Sequence, residues 1–293
     1  MRTIARWGFV AAAALLFVSS IGATVMVVDV DGTSYSVDVV EAPGGTSEDS
    51  TALELTLTNE SGTQTSLIAP TQDHQADHDP FLMLVPGSPG PVLIWSRRNG
   101  TFDQIAFSKF ENQQWSPVEY LTSSPRHHVR PEAGVDAFGT GYIVWTELGR
   151  NGSAMLATFD PLTGNLESSP RDLFRELVRK APAEILKATH VPTLDAPIRG
   201  GGRNNHFGPD VTPDGGGDVP NVPPGASNNT NSVMIASPAC GNAVAGVAKN
   251  RALWLGILHH GSVVQNFRSV VPEGASDDYV ALLLQTILEQ HCN

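Results

Sequence analysis

The sequence predicts a mainly β protein: a propeller-like array of about three to four four-stranded, blade-sized units, with two amphipathic helices added. Three observations predict it. The stretch from Asp79 to Glu167 states one pattern twice, with Pro80 and Pro131 51 residues apart, Trp95 and Trp145 50 apart, and Asn99 and Asn151 52 apart. A period near fifty built of short strands is that of a propeller blade. Charged residues make up only 16% of a chain that holds 28 Gly and 21 Pro, a composition of strands and turns rather than of long helices.

Taken in order, residues 1–23 read as a secretory signal. Arg2 and Arg6 form a basic start, Phe9 to Val18 an apolar run, and Ser19 to Ala23 a small-residue cleavage region. The uncharged run from Trp7 to Val28 is also long enough to cross a bilayer, so the segment serves either as a cleaved signal or as a retained N-terminal membrane anchor. Residues 24–70 read as two β-hairpins. Asp31-Gly32 marks a tight turn, and Leu53, Leu55 and Leu57 alternate with Glu54, Thr56 and Thr58, which puts the leucines on one face. Residues 79–168 hold the two repeats. Val92 to Trp95 and Tyr142 to Trp145 are short apolar runs suited to inner strands, and Asn99-Gly100 and Asn151-Gly152 supply the positive φ of tight hairpins. Third strands follow at Ile105 to Phe110 and Met155 to Phe159, and a fourth at Trp115 to Leu121 in the first copy only.

A helix is expected over about 169–188, capped by Ser169, with Pro170 in its first turn and Leu173, Phe174, Leu177, Val178 and Ala181 as its apolar stripe. Pro182 should kink or end it. Residues 190–230 are a Gly/Pro-rich linker. Residues 231–293 return to strands and close with a second helix over about 276–291. Cys240 and Cys292, the only cysteines, are expected to form a disulfide that ties this last helix to the last sheet.

The run from Ser108 to Trp115 carries a family likeness. It resembles the repeats of sialidase-type propellers, whose turn reads Ser-x-Asp-x-Gly-x-Thr-Trp. Here Ser108, Phe110, Asn112, Gln114 and Trp115 hold those places, so the Ser-to-Trp spacing is kept while the Asp and the Gly are replaced. The degenerate match covers about residues 79–168 and implies the propeller architecture. A sialidase-like activity would further need an arginine cluster, a Tyr/Glu pair and an acidic proton donor, and no motif assigns them.

Few residues point to chemistry. His74, Asp77 and His78 are weak metal candidates in an acidic stretch bracketed by Pro70 and Pro80; on a helix the two histidines would share a face, but a solvated loop fits the prolines better. His127-His128 and His259-His260 read as turn residues. Arg171, Arg175 and Arg179 form a basic row on the first helix, and Asp210, Asp214 and Asp218 recur every four residues rather than at the alternate positions of a calcium loop. Trp95, Trp115 and Trp145 read as core aromatics. There is no Gly-x-Ser-x-Gly, His-Glu-x-x-His or phosphate-binding glycine loop, so no catalytic residue and no cofactor are assigned. A formal net charge of −12 disfavours nucleic acid and anionic lipid surfaces as partners. The expectation is an exported (secreted or periplasmic), non-catalytic binding or scaffold protein for a glycan or an envelope protein, with a sialidase-like glycoside hydrolase as the alternative.

Overall fold

The computed structural model describes residues 25–28, 32–44, 50–73, 75–149, 152–179, 184–185, 231–237, 242–249 and 252–270. The signal segment, His74, the linker, the second helix, Cys240 and Cys292 lie outside them. The described chain is mainly β, arranged as four sheets in sequence order. The first holds β1 (Val25–Val28), β2 (Ser34–Glu41), β3 (Thr51–Asn59) and β4 (Gly62–Leu67), each antiparallel to the next. The second holds β5 (Asp77–Met83), β6 (Val92–Asn99), β7 (Phe102–Glu111) and two short pieces against β7, β8 (Gln114–Trp115) and β9 (Glu119–Tyr120). The third holds β10 (His128–Val135), β11 (Gly141–Glu147), β12 (Ser153–Phe159) and β13 (Arg171–Asp172).

The fourth sheet holds β15 (Asn231–Ser237), β16 (Asn242–Lys249), β17 (Ala252–His259) and β18 (Ser262–Val270) as a meander, with β14 (Glu184–Ile185) added in parallel to β18. Successive sheets meet through their first strands: β5 packs on β1 and on β10, and β10 packs on β15. Among the described residues the sheets close into neither a barrel nor a ring.

The apolar run Val92 to Trp95 is continuous because both faces of the second sheet are covered. Leu93 and Trp95 face Tyr35, Val37, Leu53, Leu55 and Ile68 of the first sheet. Val92 and Ile94 belong to a larger core with Tyr142, Trp145, Leu156 and Phe159 of the third sheet and Ala245, Val247 and Leu258 of the fourth. Trp95 and Trp145 are fully buried, and each contributes about 3–5 kcal/mol by the usual cost of truncation to Ala. Gly90 and Gly141 open equivalent strands for a shared reason. A Cβ on Gly141 would lie 2.5 Å from the Phe159 carbonyl oxygen, and one on Gly90 would meet the Phe110 carbonyl oxygen in the same way.

Several expectations are corrected. The first helix, α1 (Leu173–Arg179), is seven residues long, because Arg171 and Asp172 pair with Leu156 and Met155 of β12 before the helix starts. Asp172, not Ser169, caps it, its Oδ1 accepting the Arg175 N–H at 2.9 Å. Leu173 and Leu177 are buried and Phe174 packs edge-on to Trp254, but Val178 is exposed. Glu184–Ile185, expected within the helix, is strand. The fourth strand expected over Trp115 to Leu121 is split around Ser116 to Val118, where Pro117 has no N–H to give a ladder. The Asn99-Gly100 turn is shifted by one residue: Asn99 pairs with Phe102, so Gly100 and Thr101 form the loop and Gly100 supplies the positive φ. No helix of the described residues is long and apolar enough to cross a membrane.

Candidate functional site

The two repeats place matching irregularities in their first strands. In β5, Asp79 and Pro80 lie opposite Trp95, where the register with β6 shifts between His78 and Phe81. In β10, Arg130 and Pro131 lie opposite Trp145, with the same shift between Val129 and Glu132. Each is a β-bulge whose proline needs no ladder partner. The residues before the prolines are left-handed, Asp79 at φ 50 and Arg130 at φ 55. A non-glycine residue there, before proline, costs on the order of 1–3 kcal/mol and must be held by its surroundings.

Asp79 is what holds them. Its Oδ2 accepts the Arg130 backbone N–H at 3.1 Å, and Arg130 N–H also reaches the Ser96 hydroxyl at 3.2 Å. His78 Nδ1 lies 3.0 Å from the same carboxylate oxygen, and His78 Nε2 lies 3.7 Å from Asp103 Oδ1. Asp103 further accepts Arg98 Nε at 2.7 Å and lies 2.7 Å from His127 Nδ1 through its other oxygen. The electrostatics follow. Burial works against a charged His78, yet the bonds and charges of Asp103 and Asp79 push it up to about 9. Burial likewise opposes ionisation of Asp79 and Asp103, but the histidines, Arg98 and the Arg130 N–H hold both carboxyls below the usual range. At neutral pH the site is an imidazolium between two carboxylates.

Asp77 points the other way, because successive strand residues face opposite sides of the sheet. It is fully buried, accepts Trp95 Nε1 at 2.6 Å, and pairs with Arg97 Nη1 at 2.7 and 2.9 Å; Arg97 reaches on to Asp73. Burial pushes the Asp77 carboxyl up to about 7 against the pull of Arg97 and Trp95. Asp77 and His78 therefore share no ligand position, and no group of three or more His, Cys, Asp or Glu side chains among the described residues is arranged to hold a metal.

The equivalent position in the second repeat exchanges the acidic and the basic side chain. His128 stands where Asp77 stands, and Glu147, its cross-strand partner, stands where Arg97 stands. His128 Nε2 lies 3.3 Å from Glu147 Oε2 and 3.1 Å from the Ser124 hydroxyl. Buried Trp145 Nε1 and His128 Nδ1 have no hydrogen-bond partner. Burial, opposed by Glu147, pulls the His128 pKa down. A neutral ring that gives its proton to Glu147 leaves Nδ1 a bare acceptor beside the unpaired indole donor.

Above this network lies an open cleft of about 360 Å³ lined by Asn99, Phe102, Gln104, Ser123, Ser124 and Pro125. Gln104 shapes it: its side-chain amide donates to the carbonyls of Ser124 and Arg126 and accepts the Ser124 N–H. Phe102 packs edge-on to His127, with ring centroids 5.3 Å apart, which joins the cleft to the charged network.

Other candidate residues do not converge. Arg175 and Arg179 pair with Asp172 and Glu176 along α1, and Arg171 donates to the Gly261 carbonyl at 2.7 Å. His260 is a turn residue as expected, while His259 ends β17, and exposed Phe138 meets His259 edge-on and His260 at a tilt, with ring centroids 4.9 Å apart in each case. Sequence reading missed Asp79, Ser96, Arg98, Asp103 and Arg130. The signal for two of them was present: Asp79 and Arg130 immediately precede the two prolines that set the period.

No family model matches the chain, and no curated protein does. Among solved structures it is similar to an α-L-arabinofuranosidase from Fusarium graminearum, determined in complex with an iminosugar inhibitor, at 12% identity and a TM-score of 0.45. The match covers 82% of this chain and 62% of that one, so this chain spans less than two thirds of that protein's length.

Proposed function

We propose that this chain is an exported, propeller-like binding module that takes a glycan at the cleft beside Phe102. The propeller reading rests on four meander sheets in sequence order whose first strands stand side by side. Export rests on the basic, apolar and small-residue segments of residues 1–23. One observation carries the ligand class: an aromatic residue, Phe102, lines an open cleft together with the amide and hydroxyl residues Asn99, Gln104, Ser123 and Ser124. Aromatic faces cover the apolar side of a sugar ring while amides and hydroxyls meet its hydroxyls.

Binding is favoured over hydrolysis by the state of the carboxyls. Glycoside hydrolysis needs two carboxyl groups flanking an open gap, one of them with a raised pKa to donate a proton. Between Asp79 and Asp103 the gap is filled by His78, and both are held acidic. The carboxyl that burial does raise, Asp77, is sealed under Trp95 and Arg97. The test is a glycan array probed with the purified chain, run beside a panel of fluorogenic glycosides. Binding that Phe102→Ala abolishes while the chain stays folded is expected. An empty array would refute the glycan, and turnover that Asp79→Asn or Asp103→Asn removes would establish a hydrolase instead.

A further inference from the structure

The second, third and fourth sheets end outwardly in two-residue strands: β8 and β9, β13 followed by α1, and β14. Short edges of this kind keep a sheet from pairing with other chains. Among the described residues the first sheet has no such device. Its outer strand, β4, runs six residues, Gly-Thr-Gln-Thr-Ser-Leu, with neither charge nor proline, and Gly62 to Ser66 are exposed.

The hairpin register says which backbone groups are free. Asn59 opposes Gly62 across a two-residue loop, so this pair is hydrogen-bonded, and bonded and non-bonded pairs alternate from there. Gln64 and Ser66 therefore bond inward to β3, as Ile68 does through its N–H to Leu53 O at 2.8 Å. Thr63, Thr65 and Leu67 turn their N–H and C=O groups outward. The side chains agree: Thr58 and Thr63 hydroxyls lie 3.1 Å apart, and those of Thr56 and Thr65 3.5 Å, the close approach of non-bonded pairs.

We infer that this edge pairs, antiparallel and two-fold, with β4 of a second copy of the chain. A two-fold axis perpendicular to the sheet keeps each face on its own side, so paired residues must be of like parity. Centring the axis on Thr65 sets Thr65 opposite Thr65 and Thr63 opposite Leu67, and gives about six inter-chain backbone hydrogen bonds from the outward groups alone. The rows of β2, β3 and β4, Ser34–Thr58–Thr63 and Ser36–Thr56–Thr65, then run on into the second copy. The occupant is chosen by charge. An uncharged strand meets itself without repulsion, and in this register Leu67 stands between Glu54 and the second copy's Thr63, so no carboxylate faces Glu54 across the seam. The opposing force is the long-range repulsion of two chains of net charge −12, which salt screens.

The experiment is sedimentation velocity of the purified chain over a concentration series at low and moderate salt. A reversible dimer that tightens as salt rises is expected. Thr65→Pro removes an outward N–H and leaves the β3–β4 ladder intact, and should weaken the dimer about tenfold or more. Thr65→Lys, which places two ammonium groups across the axis, should act in the same direction and serves if the proline variant does not fold. A chain that is monomeric at every concentration and salt, or a dimer that both variants leave unchanged, overturns the inference.

Discussion

His78 gives the sharpest test of the charged network. Its ring sits between Asp79 and Asp103 with 26% of the side chain exposed, and it is pushed up to about 9. A histidine whose folded pKa lies above its unfolded value of 6.5 stabilises the fold fully below pH 6.5, and that stability is lost as pH rises through about 9. At about 1.4 kcal/mol per pH unit the interval corresponds to about 3 kcal/mol, and partial exposure brings the expected loss to roughly 1–3 kcal/mol. The window should end near pH 9.5. Burial raises Tyr142 to about 12, so above pH 10 its unfolded-state ionisation erodes stability independently. The assay is urea unfolding followed by tryptophan fluorescence from pH 6 to 9.5, in wild type and His78→Gln, with the imidazole titration read by NMR. Wild type should lose stability across the window and the variant should not show that loss. A His78 midpoint near 6.5, or equal pH slopes in the two proteins, would refute the assigned charge state.

Three further substitutions test the packing. Gly141→Ala should destabilise the fold by at least about 1–3 kcal/mol in urea melts, because its Cβ collides with a carbonyl that belongs to the β11–β12 ladder; Gly87→Ala, at a positive φ with open space around it, should cost about 1 kcal/mol. Arg97→Ala should cost about 3–5 kcal/mol at pH 8, where it strands buried Asp77. Much of that loss should return at pH 5, since a carboxyl with a raised folded pKa favours the fold at low pH and disfavours it as pH rises through that pKa. A loss of equal size at both pH values would refute a carboxyl that changes its charge between them.

What the sequence made legible was what repeats or alternates. The fifty-residue period, the paired tryptophans, the leucine alternation of β3 and the apolar runs of β6 and β11 all reflect burial, which composition records directly. The site was harder to read for a physical reason. His78 and Asp103 meet because β5 and β7 flank β6 in one sheet, a pairing that leaves no local pattern, although the prolines after Asp79 and Arg130 mark the bulges. His74, Asp77 and His78 read as weak metal candidates, and strand geometry turns Asp77 and His78 to opposite faces of the sheet. The first helix was overextended because its period was sound but its first turn was claimed by β12, a contact between segments that no local window contains.

The exchanged acid and base of the two repeats bear on how a tandem array assembles. Copies this similar in pattern can exchange strands during folding, β5 pairing with β11 or β10 with β6 in the native register. The first error would set Asp77 against Glu147, burying two carboxyls together, and the second would set His128 against Arg97, leaving the guanidinium beside a neutral ring with no carboxylate to answer it. In the correct assembly the same four side chains meet as Asp77–Arg97 and His128–Glu147. The pairs thus act as an address written into otherwise interchangeable strands, telling each repeat which hairpin is its own.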